Sequence, residues 1–150
     1  MPEISIQSVD FDAGLEIKCL REASAETGAV ATFTGIVSDI NEGSPVSTLE
    51  LEHYPGMTEK SIAAIIDEAK NRWPLLAVRV IHRIGKLAVR EQIVFVGVSS
   101  RHRGAAFAAC EFIMDFLKTR APFWKKETID GGSRWVDARV GDDAAAARWK

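Results

Sequence analysis

The sequence predicts an α+β sandwich with a mostly antiparallel sheet. Two observations carry that expectation. Apolar residues recur at two-residue steps in some stretches and at three- and four-residue steps in others. Two neighbouring strand-like stretches are also separated only by a polar loop, the arrangement of a hairpin. At 150 residues, the chain fits one domain able to bury a sizeable core.

In chain order, Ile4 and Ile6 mark a short strand. Asp10 or Asp12 then caps a helix with Leu15, Cys19 and Leu20 on one face, and Gly28 ends that region. Ala29 to Val37 is rich in β-branched and aromatic residues and reads as a strand. Ser38 to Pro45 has the chemistry of an exposed loop. Thr48 to Tyr54 alternates, with Leu49, Leu51 and His53 on one face and Glu50, Glu52 and Tyr54 on the other. The strands on either side of the loop are expected to pair antiparallel. Pro55-Gly56 makes a turn and Thr58 is the expected N-cap of a helix through Ile62, Ile65, Ile66, Ala69 and Trp73, stopped by Pro74. Val78 to Ile84 alternates, Gly85 turns the chain, and Ile93 to Ser99 reads as a central strand. A helix starting near Arg103 or Gly104 places Ala106, Phe107, Cys110, Ile113, Met114 and Leu117 on one face. Pro122 has no amide donor and pushes Ala121 out of the α region, so that helix ends near Arg120. Gly131-Gly132 marks a turn, Trp135 to Val140 a last strand, and Asp142 the cap of a short alanine-rich helix.

Composition narrows the function classes. A formal net charge of −2 provides no global basic field, which argues against nucleic-acid binding and requires any anion site to be a local cluster. No apolar run approaches the ~20 residues of a membrane span. Cys19 and Cys110 are too few for a disulfide framework and fit no zinc spacing, and Cys110 falls in an apolar stripe as a buried thiol. The first residues lack the succession of a signal peptide, so a reducing, cytoplasmic setting is expected.

Two clusters carry chemistry. Lys118 to Lys126 packs four cations, two large aromatics and a proline into nine residues. Lys118 sits in a last helical turn, while Lys125 and Lys126 follow a bend that Phe123 and Trp124 can anchor, so the cations can converge on one anion. A solvated basic helix end explains the same pattern, because the helix dipole favours cations there. The second cluster, Ser99-Ser-Arg-His-Arg-Gly104, opens the same helix. Unpaired amides at a helix start bind anions, and Arg101, His102 and Arg103 add donors. A capped start with exposed arginines fits as well. The helix separates the clusters by over ~20 Å at 1.5 Å per residue. They therefore serve separate sites, or a symmetric dimer sets one chain's helix start beside the other's helix end. His53 and His82 read as hydrogen-bonded sheet or core histidines. Glu50 and Glu52 fit an exposed sheet face as well as acid–base work, and no nucleophilic triad emerges from the spacings.

Glu52-His-Tyr-Pro-Gly-Met57, Ile81-His-Arg-Ile-Gly-Lys86, Val96-Gly-Val-Ser-Ser-Arg-His-Arg103 and Phe112-Ile-Met-Asp-Phe-Leu-Lys-Thr-Arg-Ala-Pro-Phe-Trp-Lys125 closely resemble the catalytic large-subunit family of molybdopterin synthase. Arg134-Trp-Val-Asp-Ala-Arg139 fits too, and the resemblance runs from about Phe33 to Trp149. It implies a hammerhead-type α/β sandwich and a homodimer at the core of a heterotetramer with two small ubiquitin-like sulfur-carrier subunits. The implied reaction transfers sulfur from the thiocarboxylate on the carrier's C-terminal Gly-Gly tail to cyclic pyranopterin monophosphate, forming the molybdopterin dithiolene. The resemblance implies no metal and no organic cofactor. By motif, Lys118 and Lys125 match the family's active-site lysines. His102, Arg103 and Arg139 match its anion-pocket residues, which the family takes from the neighbouring protomer. Two anions must then meet in one pocket, and cations remove their repulsion and stabilise the charge that builds as sulfur attacks.

One position departs from the family pattern. Phe33-Thr-Gly-Ile-Val-Ser38 carries serine where the family usually has an anion-binding arginine, and no arginine or lysine lies between Ser38 and Glu59. Substrate then binds more weakly for want of that charge, or another cation such as Lys126 or Arg101 substitutes. The alternative is a scaffold that binds the carrier tail with reduced turnover.

Overall fold

The structure, a computed structural model, describes residues 2–41, 44–129, 132–136 and 140–149. The alternating stretches form strands and the stretches of helical period form helices, giving two mostly antiparallel sheets among the described residues. The first sheet contains β1 (Ile4–Gln7), β2 (Ala29–Ile36), β5 (Ala77–Arg83) and β7 (Gln92–Ser100) in the order β1-β5-β7-β2, with only β1 and β5 parallel. Strand β7 is central, as its apolar run predicts.

Both faces of this sheet are covered, and strand alternation divides the core accordingly. Val78, Val80, Val94, Val96 and Val98 pack with residues of α2 (Met57–Arg72) and α3 (Arg103–Thr119). Ile81 and Phe95 face the other way, onto Phe11 and Leu20 of the α1 region (Ala13–Glu22). Gly97 permits the close approach of α1: a Cβ there would lie 2.4 Å from Leu20 Cδ1. Asp12 caps α1 by accepting the Leu15 amide. Leu15 itself is exposed, and Leu20 is the residue of its predicted face that is buried.

The second sheet is built on β4 (Ser44–His53), flanked by β6 (Gly85–Ala88) and β8 (Phe123–Ile129). Strand β9 (Gly132–Trp135) pairs with β8, and β3 (Ile40–Asn41) with β4. Val37, Leu49, Leu51 and Leu87 form its own core. Helix α4 (Val140–Ala147) packs on α3; beyond its end, Trp149 meets Trp73 and Phe112 edge to face. Among the described residues no helix is long and apolar enough to cross a membrane.

Several sequence expectations are corrected. Strands β2 and β4 do not pair; they belong to different sheets, and the polar loop between them supplies the small β3–β4 ladder instead. A loop of that length lets the chain cross layers, so adjacency in sequence does not impose pairing. After Gly85, at φ 89°, the chain enters β6, a strand that the alternation did not mark. Gly56, not Thr58, occupies the N-cap of α2, and its amide donates to Glu59 Oε2. Phe107 is 65% exposed, whereas Ala109, Phe112 and Phe116 occupy the buried face of α3. Ala106, Cys110, Ile113 and Leu117 of the expected stripe are buried, so the buried face is wider than that stripe and extends away from Phe107, which a sequence with apolar residues around much of the helix circumference permits. Among the described residues the last strand is β9, which ends at Trp135 where the expected strand begins, while Val140 already belongs to α4 and Asp142 lies in the first turn of that helix rather than before it. Residues 137–139 are outside the described residues.

Candidate active site

Helix α3 ends where Pro122 requires: the Arg120 amide closes the last turn on the Phe116 carbonyl, and β8 begins at Phe123. Lys118 projects from the final turn. Lys125 lies on β8, opposite Leu51. Both lysines line a cavity of about 420 Å³, together with Phe33, His82, Met114 and Phe123. A neighbouring hollow of about 670 Å³, also lined by Lys118 and Lys125, adds Ser38, Glu127 and Asp142. The two lysines come from different layers of the fold, one from the helix over the first sheet and one from the second sheet.

Strand alternation separates the other residues of the bend. Phe123 turns inward and stacks on His82, with centroids 3.7 Å apart and planes 16° apart. Trp124 turns outward against Tyr54, so only Phe123 anchors the bend from the cavity side. Lys126 faces away from both lysine-lined hollows, its Nζ 5.7 Å from the centre of the Trp135 ring. Glu50 and Glu52 lie opposite Lys126 and Trp124 and line neither hollow, which fits the sheet-face reading of the pair.

His82 is buried at the cavity wall. Its Nδ1 lies 2.8 Å from the Arg83 carbonyl. A carbonyl only accepts, so Nδ1 carries the proton and Nε2 is the acceptor. Burial lowers the His82 pKa to about 3 against the pull of that carbonyl, and Lys125, Lys118 and His53 push it further down. The ring is therefore neutral at physiological pH. Glu127 is buried and accepts from Arg134 Nε at 3.1 Å. The sequence reading did not place His82 or Glu127 in the site. His82 had an available signal, since it follows Val78 and Val80 on the inward face of β5.

Ser38 is exposed at the hollow's rim, where its hydroxyl donates to the Ile40 carbonyl at 3.0 Å. Arg101, His102 and Arg103 line a separate hollow of about 500 Å³ with Gly28 and Gly104, at the start of α3. Gly28 is required there, because a Cβ would lie 2.1 Å from the Arg101 carbonyl oxygen. Arg101 is paired with Glu26 at 2.5 Å. Helix α3 has 17 residues and spans about 25 Å. Within one chain, the two basic clusters are therefore not brought together. Arg139 lies outside the described residues. Cys110 is buried, and desolvation pushes its thiol up to about 12, which leaves it protonated.

Lys118 from the end of α3 and Lys125 from β8 thus line the same two hollows of an α+β sandwich. The family described as MoaE protein matches residues 6–120. A molybdopterin synthase catalytic subunit from Ralstonia nicotianae is 62% identical over 149 residues, covering 99% of this chain and 85% of that protein. One from Vibrio cholerae is 59% identical over 147 residues, covering 98% and 97%. The solved structure of a molybdopterin biosynthesis MoaE protein from Burkholderia ambifaria superposes with a TM-score of 0.85 at 54% identity, covering 99% of this chain and 98% of that one. The chain belongs to the MoaE family.

Proposed function

We propose that the Lys118–Lys125 cavity is where a carrier's thiocarboxylate meets a pterin phosphate. The enzyme is a sulfurtransferase of molybdenum-cofactor biosynthesis, the catalytic subunit of a molybdopterin synthase. The observation that carries the site assignment is the convergence of Lys118 and Lys125 on one hollow from separate layers. Both substrates are anionic, and two ammonium groups offset their repulsion. As the sulfur attacks, the same groups stabilise the developing negative charge without reorganising. Lys118 lies nearest the carrier's terminal glycine, because the helix end fixes its backbone.

The carrier is a small ubiquitin-like protein ending in Gly-Gly, and the pterin is cyclic pyranopterin monophosphate. His102, Arg103 and Arg139 of a second copy complete the pocket, with two copies forming the core of a heterotetramer. This reading is supported by the ~25 Å length of α3, which keeps one chain's helix start away from its own lysines. Arg101 serves its Glu26 partner at the helix start. Lys126 is turned to the opposite sheet face and supports the strand through Trp135. The scaffold reading rests on Ser38 alone and is not favoured, since both lysines are in place. Incubation with thiocarboxylated carrier and the pterin precursor tests the assignment. Dithiolene product is expected, whereas carrier binding without product would support the scaffold reading instead.

A further inference from the structure

His82 belongs to the first sheet, where it pairs with Ile6 and Val94. Phe123 belongs to the second, where it pairs with His53. Their rings therefore stack across the boundary between the layers, at the wall of the lysine cavity. Helix α3 rests on the first sheet, so that sheet sets the position of Lys118. Lys125 is two residues beyond Phe123 on β8, so the second sheet sets its position.

We propose that His82 is a positioning residue for sulfur transfer: its stack on Phe123 sets where Lys125 stands relative to Lys118. This inference rests on the sulfur-transfer reading given above. The Nδ1–H bond to the Arg83 carbonyl holds the imidazole plane in register with the ring of Phe123. The charged and titratable groups acting on the ring are Lys125, Lys118 and His53, and none of them is an anion that would favour its protonation. His82 therefore takes up no proton during turnover and adds no charge to the pocket. It acts through Phe123, as a flat neutral surface against which the start of β8 is seated. Phenylalanine could supply that surface, but alanine could not.

The experiment compares full-length wild type, His82→Ala and His82→Phe, assayed well below their melting temperatures. One readout is kcat and KM for sulfur transfer from thiocarboxylated carrier. The other is the rate at which an acetylating reagent labels Lys125, resolved by mass spectrometry, with exposed Lys60 on α2 as the internal reference. The alanine variant is expected to lose on the order of tenfold or more in kcat, since a displacement of about 1 Å is enough for such a loss. KM should change little. Its Lys125 labelling rate should shift several-fold while that of Lys60 holds. His82→Phe should restore most of both properties. If His82→Ala does not fold, His82→Leu fills the volume without a planar face and carries the same expectations. Unchanged Lys125 labelling in the ring-free variant overturns the proposal whatever its activity, as does a His82→Phe variant impaired as severely as the ring-free one. If the wild type makes no product, the sulfur-transfer reading is what fails, and the labelling comparison still decides the positioning role.

Discussion

The Thr58 hydroxyl donates to the Pro122 carbonyl across 2.9 Å and accepts the Tyr54 amide at 2.9 Å. One buried side chain thus ties the start of α2 and the end of β4 to the bend between the two lysines. Replacing it by valine keeps the volume and removes both bonds, leaving two main-chain groups without that partner. Thr58→Val is expected to cost about 1–3 kcal/mol of stability. Urea unfolding measures it, and an unchanged midpoint would show that the tie carries no net energy.

Lys118→Ala is expected to abolish product while leaving the melting temperature near that of wild type, because the side chain is exposed and outside the apolar face of α3. Lys118→Arg should also be poor: a guanidinium keeps the charge, but its larger planar fork does not place that charge where the compact ammonium stands. Single-turnover assays decide this, and near-normal turnover in either variant removes Lys118 from its assigned role.

Ser38→Arg adds a cation at the rim of the hollow that Lys118 and Lys125 share. A partly screened contact of this kind is worth about 0.5–1 kcal/mol, so substrate affinity or turnover should improve several-fold at most. A Michaelis constant that stays the same or rises, with normal folding, would mean that another group already binds the anion.

A shared site predicts complementation. Lys118→Ala and Arg103→Ala proteins should each be nearly inactive. After random subunit exchange about half the dimers are mixed, and each mixed dimer has one intact site, so about a quarter of wild-type sites return under two-fold symmetry. Native mass spectrometry confirms exchange. Activity that stays at the level of the separate mutants, once exchange is confirmed, counts against a site built from two chains.

Burial makes His82 a source of acid lability. Its pKa falls from the ordinary 6.5 of the unfolded chain to about 3 in the fold, chiefly through desolvation. Between these values the unfolded state binds the extra proton. The stability associated with a neutral His82 is therefore complete above about 6.5 and is lost as pH falls towards about 3. The slope from this one group approaches about 1.4 kcal/mol per pH unit. His82→Phe should flatten that limb, as measured by urea unfolding at a series of pH values. An unaltered acid limb would assign the lability to other groups.

Much of the architecture was legible because strand and helix periods differ. The Val78 to Ile84 alternation is β5, the apolar Ile93 to Ser99 run is the central β7, and Pro122 ends α3 where its missing amide requires. The edges of the buried face of α3 were less legible than its centre, where Ala106, Cys110, Ile113 and Leu117 are buried as expected. Phe107, Phe112 and Phe116 are equally apolar, and only the position of the sheet beneath decides which of them is buried. The β2–β4 pairing failed for a related reason: hydrogen-bonding partners are chosen by layer packing, not by nearness along the chain.

The sequence by itself determined that Lys118 stands at a helix end and that Lys125 follows a proline bend, because proline geometry is local. It also carried the motifs that match the MoaE family. Only the tertiary structure decided that Lys118 and Lys125 face one hollow, that Lys126 faces away, and that His82 and Glu127 line the hollows beside them. These relations join residues of two sheets and a helix. They are settled by side-chain packing between layers, a long-range condition that no local spacing encodes.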